Sequence, residues 1–354
     1  MSKDVRVLIV DDSSIVRQAL KKGLGAQEGI TVVGVAPDPY VARDKIIELE
    51  PDVITLDIEM PRMDGLTFLR KLMKFHPVRS IVVSSLTRAG CDTAIACLEA
   101  GAFGVVGKPA ESYTVGDMAE QLGEMIRVAA KTPLPKKRSS DQPATPRKVG
   151  VGQAMIETTN KVIAIGTSTG GTDALKDVLS ALPRSVPGII MTQHMPAGFT
   201  SSFAERLNTL SELEVREAKD GDAVLPGLAL LAPGNMHMRL ARDGARYIVR
   251  VTNGPRVCRH RPSVEVLFES TAEFAGRNAM GVIMTGMGSD GAGGLLTMKN
   301  AGAYTVAQDE ASCVVFGMPR EAILREAHTD IVPLSQIPDK IIEFASGKVG
   351  KAAA

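Results

Sequence analysis

Residues 161–175 read KVIAIGTSTGGTDAL: an apolar run, a glycine-rich turn from Gly166 to Gly170, and the opening of a helix. Strand, turn and helix in that order make half of a βαβ unit, and such units build parallel sheets. The cadence recurs in both directions. Toward the carboxyl end come GIIMTQH, a β-rich middle (LALLAPG, MHMRLA, RYIVRV), then GVIMTG and YTVAQ. Toward the amino end come RVLIV, TVVGV, DVITL, SIVVS and FGVV, each followed by an amphipathic stretch. The expected fold is α/β: a flavodoxin-like first domain with a five-stranded parallel sheet, then a larger doubly wound domain carrying an antiparallel hairpin.

Between the two, residues 131–150 (KTPLPKKRSSDQPATPRKVG) hold four prolines and a net charge of +5, a composition that builds no core. The expected division is 1–128, a flexible basic Pro-rich linker over 129–157, and 158–348. Residues 1–130 carry −3 and residues 151–354 carry −1, so the +1 of the whole chain gives no field suited to nucleic acid or a membrane surface. Cys91, Cys97, Cys258 and Cys313 stand in no metal-binding spacing and are expected to be reduced and packed in cores. No stretch approaches the roughly 18 apolar residues of a spanning helix. A cytoplasmic protein without membrane insertion is expected.

Ligand sites in doubly wound sheets lie at the carboxyl ends of strands. In the first half those positions hold Asp11 and Asp12 after the first strand, Asp57 after the third, Ser84 ending the fourth and Lys108 after the fifth, with Pro109 behind it. Three carboxylates so placed repel one another unless a hard cation such as Mg²⁺ neutralises them. A carboxylate nucleophile, a metal, a lysine and a hydroxyl together suit a phosphoryl acceptor. The competing reading is that Asp12 and Ser13 merely start a helix.

VDDSS, LDIEMPRMDG and GKP resemble the response-regulator receiver domain over residues 1 to about 125. The resemblance implies phosphorylation of Asp57 by a histidine kinase, with Asp11, Asp12, Asp57 and the Glu59 backbone carbonyl holding Mg²⁺. Receivers usually carry an aromatic residue where this chain has Val105. Phe103, two positions earlier, is expected on the same face, either restoring that bulk or packing in the core.

In the second half, Gly166-Thr167-Ser168-Thr169-Gly170 is a G-x-S-x-G, a turn that presents a serine beside free helix amides. A phosphate cradle and a simple helix cap are the alternatives, although the turn contains no G-K-[ST]. A serine nucleophile needs a base. His194, His237, His260 and His328 are the candidates, and His194 follows the strand GIIMTQ at the same end of the sheet as Ser168. Asp290, in the glycine-rich GMGSDGAGG, supplies an orienting carboxylate after a third run. The order Ser, His, Asp is not that of the α/β-hydrolases.

GTSTGG, TQHMPAGFTSSFAERLN, LAPGNMHM, HRPSVEVLFES, TGMGSDGAGG and AQDEASCVVFGMPREA closely resemble the catalytic domain of the chemotaxis protein-glutamate methylesterases, from about residue 158 to 346. Carried over, the family's triad falls on Ser168, His194 and Asp290, with Thr169 and the Met287 amide near the oxyanion. The implied substrates are glutamyl methyl esters and glutamines of methyl-accepting chemoreceptors, and the implied esterase half needs no cofactor. A non-enzymatic output domain is the contrasting hypothesis. It would need a basic recognition surface, and Arg256, Arg259 and Arg261 form the one compact basic cluster. That cluster either attracts acidic receptor helices or solvates a loop.

Overall fold

The computed structural model describes residues 4–108, 115–134 and 160–349, in two units, residues 1–141 and 142–354. The first unit runs β1 (Val5–Val10), α1 (Ser14–Gly25), β2 (Ile30–Ala36), α2 (Pro39–Leu49), β3 (Val53–Asp57), α3 (Gly65–Phe75), β4 (Arg79–Ser84), α4 (Arg88–Glu99), β5 (Gly104–Gly107) and α5 (Val115–Lys131). Its strands pair in parallel in the order β2-β1-β3-β4-β5. Every residue of β3 is buried, which is why DVITL reads as a nearly continuous apolar run. The order reverses between β1 and β3, and the crevice of such a sheet opens there.

Helix α1 is capped by Ser13, whose hydroxyl accepts from the Val16 amide at 3.4 Å, while Asp11 Oδ1 accepts from the Ser13 amide at 2.8 Å. The cap therefore falls on Ser13, and Asp12 stays exposed with its carboxylate uncommitted to the helix. Helix α5 continues to Lys131, so the first residues assigned to the linker form its last turn. Residues 135–157 of the linker, and Pro109, lie outside the described residues. Phe103 does not share the face of Val105. It precedes β5, where strand alternation does not yet hold, and packs on the cluster of Val7, Ile9, Met118 and Val106.

The second unit runs β6 (Val162–Thr167), α6 (Gly171–Ser180), β7 (Gly188–Gln193), α7 (Phe199–Leu210), β8 (Glu214–Glu217), β9 (Leu228–Leu231), β10 (His237–Asp243), β11 (Arg246–Thr252), α8 (Val264–Ala275), β12 (Ala279–Ile283), α9 (Ala292–Asn300), β13 (Tyr304–Gln308), α10 (Met318–Leu324), β14 (Asp330–Val332) and α11 (Ile337–Ala345). Seven parallel strands lie in the order β14-β13-β12-β6-β7-β9-β8, and β10 with β11 forms a separate antiparallel hairpin. Edge strands β8 and β14 have no counterpart in the apolar pattern of the sequence. Helix α8 packs Leu267 and Phe268, both fully buried, among residues of the sheet (Val162, Ile190) and of the hairpin (Leu240, Val249). Burying a side chain such as Phe268 contributes roughly 2–3 kcal/mol, and this helix brings its N-terminus to the strand ends. None of the described helices is long and apolar enough to cross a membrane.

Candidate functional site

At the β1/β3 crevice, Asp11, Asp12 and Asp57 bring one carboxylate oxygen each within 4.8 Å of one another. Asp11 and Asp57 are each 1% exposed. Lys108 Nζ lies 2.7 Å from Asp57 Oδ2 and 3.3 Å from Asp11 Oδ2. Asp11 Oδ2 is nonetheless buried without a hydrogen bond among the described residues, as expected of an oxygen awaiting a cation. Burial raises the pKa of Asp57 to about 6, opposed by Lys108 and reinforced by Asp11. The Glu59 amide donates to Asp57 Oδ1 at 3.2 Å, which folds the loop after β3 over the carboxylate. The Ser84 hydroxyl points elsewhere, donating to the carbonyls of Gly90 (3.1 Å) and Ser85 (3.2 Å).

In the second unit the strand order reverses between β6 and β12, and Ser168 and Asp290 come after those two strands. The Ser168 amide donates to Thr285 O at 3.0 Å, and the His194 amide donates to Thr167 O at 3.2 Å. Gln193 fastens the two sides: its Nε2 donates to the carbonyls of Ser168 (2.9 Å) and His194 (3.1 Å), while its Oε1 accepts the Thr167 hydroxyl. Gly286 is required by close approach, since a Cβ there would sit 2.7 Å from Ser168 Cβ and 3.1 Å from its amide. Gly170 turns the chain into α6 at φ 79°, a conformation that costs glycine nothing.

His194 Nε2–H donates to Asp290 Oδ2 at 2.7 Å, with side-chain exposures of 7% and 1%. The other ring nitrogen, Nδ1, is buried without a partner among the described residues. The bond to Asp290 fixes the tautomer and leaves the Nδ1 lone pair as the basic atom. Asp290 also accepts from the Ser263 hydroxyl (2.7 Å), the Val264 amide (2.7 Å) and the Glu265 amide (3.0 Å), so it sits on the N-terminus of α8. Burial works to raise its pKa, but His194 and these α8 donors outweigh burial and hold it below the usual carboxylate value. The amides of Met287 and Thr169, both half-buried, donate to no acceptor among the described residues. A hydroxyl, an imidazole held by a buried carboxylate and uncommitted amides suffice for acyl transfer.

His260, weighed in the sequence as a candidate base and passed over for His194, stacks on His194 with centroids 3.7 Å apart and planes 9° from parallel. It arrives on a turn closed by reciprocal Val257 and His260 backbone bonds of 3.0 and 2.9 Å, with Cys258 (φ 49°) and Arg259 (φ 68°) at its tip. Arg261 holds this loop through Asn235 Oδ1, Asn253 Oδ1 and Gly254 O, and His237 Nε2–H donates to Pro255 O at 2.8 Å. Burial, the neighbouring His194, Arg256 and Arg259 push the His260 pKa well down, so its ring is neutral. In the sequence, RVCRHRPS shows the histidine but not its stacking partner, because no strand end places it. Cys91 and Cys97 are buried as expected, but Cys258 is exposed, and its thiol is raised to about 11, first by burial and then by the Asp290 charge.

The family described as CheB methylesterase matches residues 163–341, and the response regulator receiver domain matches residues 7–120. A Syntrophus aciditrophicus protein named protein-glutamate methylesterase/protein-glutamine glutaminase 2 is 55% identical over 97% of this chain and 100% of its own length. A Pectobacterium atrosepticum protein named protein-glutamate methylesterase/protein-glutamine glutaminase is 52% identical over 97% of each chain. Among solved structures, the Thermotoga maritima CheB methylesterase catalytic domain matches with TM-score 0.51 and 38% identity, covering 52% of this chain and 98% of that one. Three aspartates clustered in one sheet, a His194–Asp290 pair in the next, and relatives alike over 97% of the chain give one conclusion: the chain belongs to the CheB methylesterase family of hydrolases, with a response regulator receiver domain ahead of the hydrolase.

Proposed function

We propose that this cytoplasmic protein hydrolyses glutamyl methyl esters on methyl-accepting chemoreceptors, and deamidates glutamines there, under control of phosphorylation at Asp57 by a chemotaxis histidine kinase. The observation that carries the reading is the His194–Asp290 bond, which leaves a buried, unpartnered Nδ1 at the strand end next to Ser168. Ser168 Oγ attacks the side-chain carbonyl carbon and its proton passes to His194 Nδ1. The amides of Met287 and Thr169 meet the oxyanion, a kind of contact worth roughly 10²–10³ in turnover. His194 returns the proton to the departing methanol or ammonia, and Asp290 stabilises the imidazolium in between. Water, deprotonated by His194, then releases glutamate from the seryl ester.

In the receiver, Asp11, Asp12 and Asp57, with the Glu59 carbonyl, would hold Mg²⁺. When bound, that ion neutralises phosphoryl oxygens as they approach Asp57. Lys108 binds a phosphoryl oxygen, and Ser84 reaches it by turning from the Gly90 carbonyl. Methanol release from methylated receptor membranes, with and without a small phosphodonor, tests the reading. The wild type should release methanol and be stimulated, Asp57→Asn should keep only basal release, and Ser168→Ala should release none. Release by Ser168→Ala would refute the assignment.

A further inference from the structure

The loop between β3 and α3 closes at its root, where the Gly65 amide donates to Ile58 O at 2.9 Å. Residues 59–64 are the excursion between those points, and two neighbouring loops hold it. On one side the Ser85 hydroxyl, after β4, donates to Glu59 Oε1 at 2.8 Å and lies 3.1 Å from the Thr87 hydroxyl. On the other side the exposed Arg62 reaches the segment after β2: its Nη2 donates to Asp38 Oδ2, and its guanidinium lies 5.1 Å from the centre of the Tyr40 ring. Asp38 is buried, and its Oδ1 is already fixed by the amides of Tyr40 (2.8 Å) and Val41 (3.1 Å), so the arginine meets a carboxylate anchored on a helix end. Arg62 itself has φ 71°, a left-handed conformation that a bulky residue keeps only where its surroundings impose it. In the sheet β1 lies between β2 and β3, and Asp11 and Asp12 follow β1. The Arg62–Asp38 contact thus joins the two flanks of the acidic site.

We infer that Asp38, Arg62 and Tyr40 form a clasp that sets the β3–α3 loop over Asp57 in advance, which makes Asp38 and Arg62 positioning residues of the receiver's Mg²⁺ site. The inference rests on the receiver reading and deepens it. Asp11, Asp12 and Asp57 stand at strand ends, so the sheet places them whether or not the clasp is closed. The Glu59 carbonyl has no such support. A backbone oxygen has no rotamer of its own and goes where its loop goes, and a loop that is already ordered loses less freedom when a cation binds. Opening the clasp should therefore weaken Mg²⁺ binding without abolishing it.

The test uses the full chain and two substitutions that leave the local backbone as it is. Asp38→Asn keeps a side-chain oxygen for the α2 cap and loses the ion pair. Arg62→Asn accepts the left-handed conformation and loses the guanidinium. Isothermal titration with Mg²⁺ alone should show each variant binding about threefold to fivefold more weakly than the wild type, the scale of one partly exposed ion pair. The double variant should bind no more weakly than either single one, because both changes open the same contact. Amide hydrogen exchange in EDTA should be faster over residues 58–65 in every variant and unchanged in β1 and β3. Unchanged Mg²⁺ affinity or additive losses would overturn the inference. So would exchange accelerated equally across the sheet, which would mean that the pair only stabilises the fold. If the wild type bound no Mg²⁺, the metal reading of the site would fall instead. Exchange over residues 58–65 then decides the clasp: faster exchange in the variants supports it, and unchanged exchange overturns it.

Discussion

Replacing Asp290 by asparagine removes one charge and almost no volume. The carboxylate receives two donors on each oxygen: His194 Nε2–H and the Val264 amide on Oδ2, the Ser263 hydroxyl and the Glu265 amide on Oδ1. An asparagine has two orientations here. With its oxygen toward His194 and Val264, the amide group can donate to a rotated Ser263 hydroxyl, but the Glu265 N–H faces a donor. With its oxygen toward Ser263 and Glu265, the Val264 N–H faces a donor and His194 must switch tautomer, which moves a proton onto Nδ1. Either way one buried helix amide is left unmatched, at about 1–3 kcal/mol, or a melting shift of roughly 3–10 °C for a domain of this size. Both orientations lose the charge that favours imidazolium, and the second removes the base outright, so kcat should fall by about 10²–10⁴. Folding holds the Asp290 pKa below its ordinary 3.8, so its ionised form stabilises the fold above that pH and loses this effect as pH falls through the folded value. The melting difference from wild type should therefore persist at neutral pH and shrink in acid. Methanol release and scanning calorimetry measure both quantities. A variant within tenfold of wild-type kcat and with unchanged melting would refute this role for Asp290.

Ser168→Ala and His194→Ala should each remove nearly all activity, and the double variant should be no worse than either single one, because the groups act as a unit; additive losses in methanol release would contradict this. Gly286→Ala should cost about 1–3 kcal/mol in urea unfolding and most of the activity, since the new methyl would meet the Ser168 backbone and Cβ; a fully active variant would show that the turn yields. His260→Ala should lower kcat about tenfold with KM nearly constant, and His260→Phe, which keeps a stacked ring, should recover most of it; loss in both would point to the imidazole nitrogens instead. Asp57 has its pKa raised from 3.8 to about 6, so its charged form opposes folding above that range. Asp57→Asn should therefore stabilise the receiver in EDTA by about 1–3 kcal/mol above pH 6, and the gain should fade toward pH 4; a gain independent of pH would refute the cause.

The sheets were legible because both faces of their central strands are buried, which leaves Val/Ile/Leu runs that few other elements need. The two missed strands are edges. In EVRE only Val215 is buried, and β14 is three residues long with Ile331 45% exposed, so neither leaves an apolar run. The site residues at strand ends were legible for the same topological reason. His260 was not, because a loop delivers it: its place depends on Arg261 capturing Asn235 and Asn253, a contact across 26 residues that no local pattern announces. Ser263 could have been found, since a serine directly before the apolar run VEVLF signals a helix start, and that helix end is what holds Asp290.

Two buried aspartates at strand ends show how environment assigns chemistry to one residue type. Asp57 and Asp290 are both 1% exposed, yet their pKa values move in opposite directions. Asp57 has the Lys108 ammonium and a single 3.2 Å amide, with Asp11 and Asp12 close by. Its carboxylate is short of donors and crowded by its own kind, so a cation or an electrophile lowers its energy. Asp290 already has two donors on each oxygen, which leaves little demand for a proton and no lone pair aimed into open space. It is suited to orienting His194 and not to reacting. The backbone around each carboxylate makes the difference. Asp57 lies under a loop that turns one amide inward, whereas Asp290 meets the first turn of α8, whose free N–H groups point at whatever occupies the helix end.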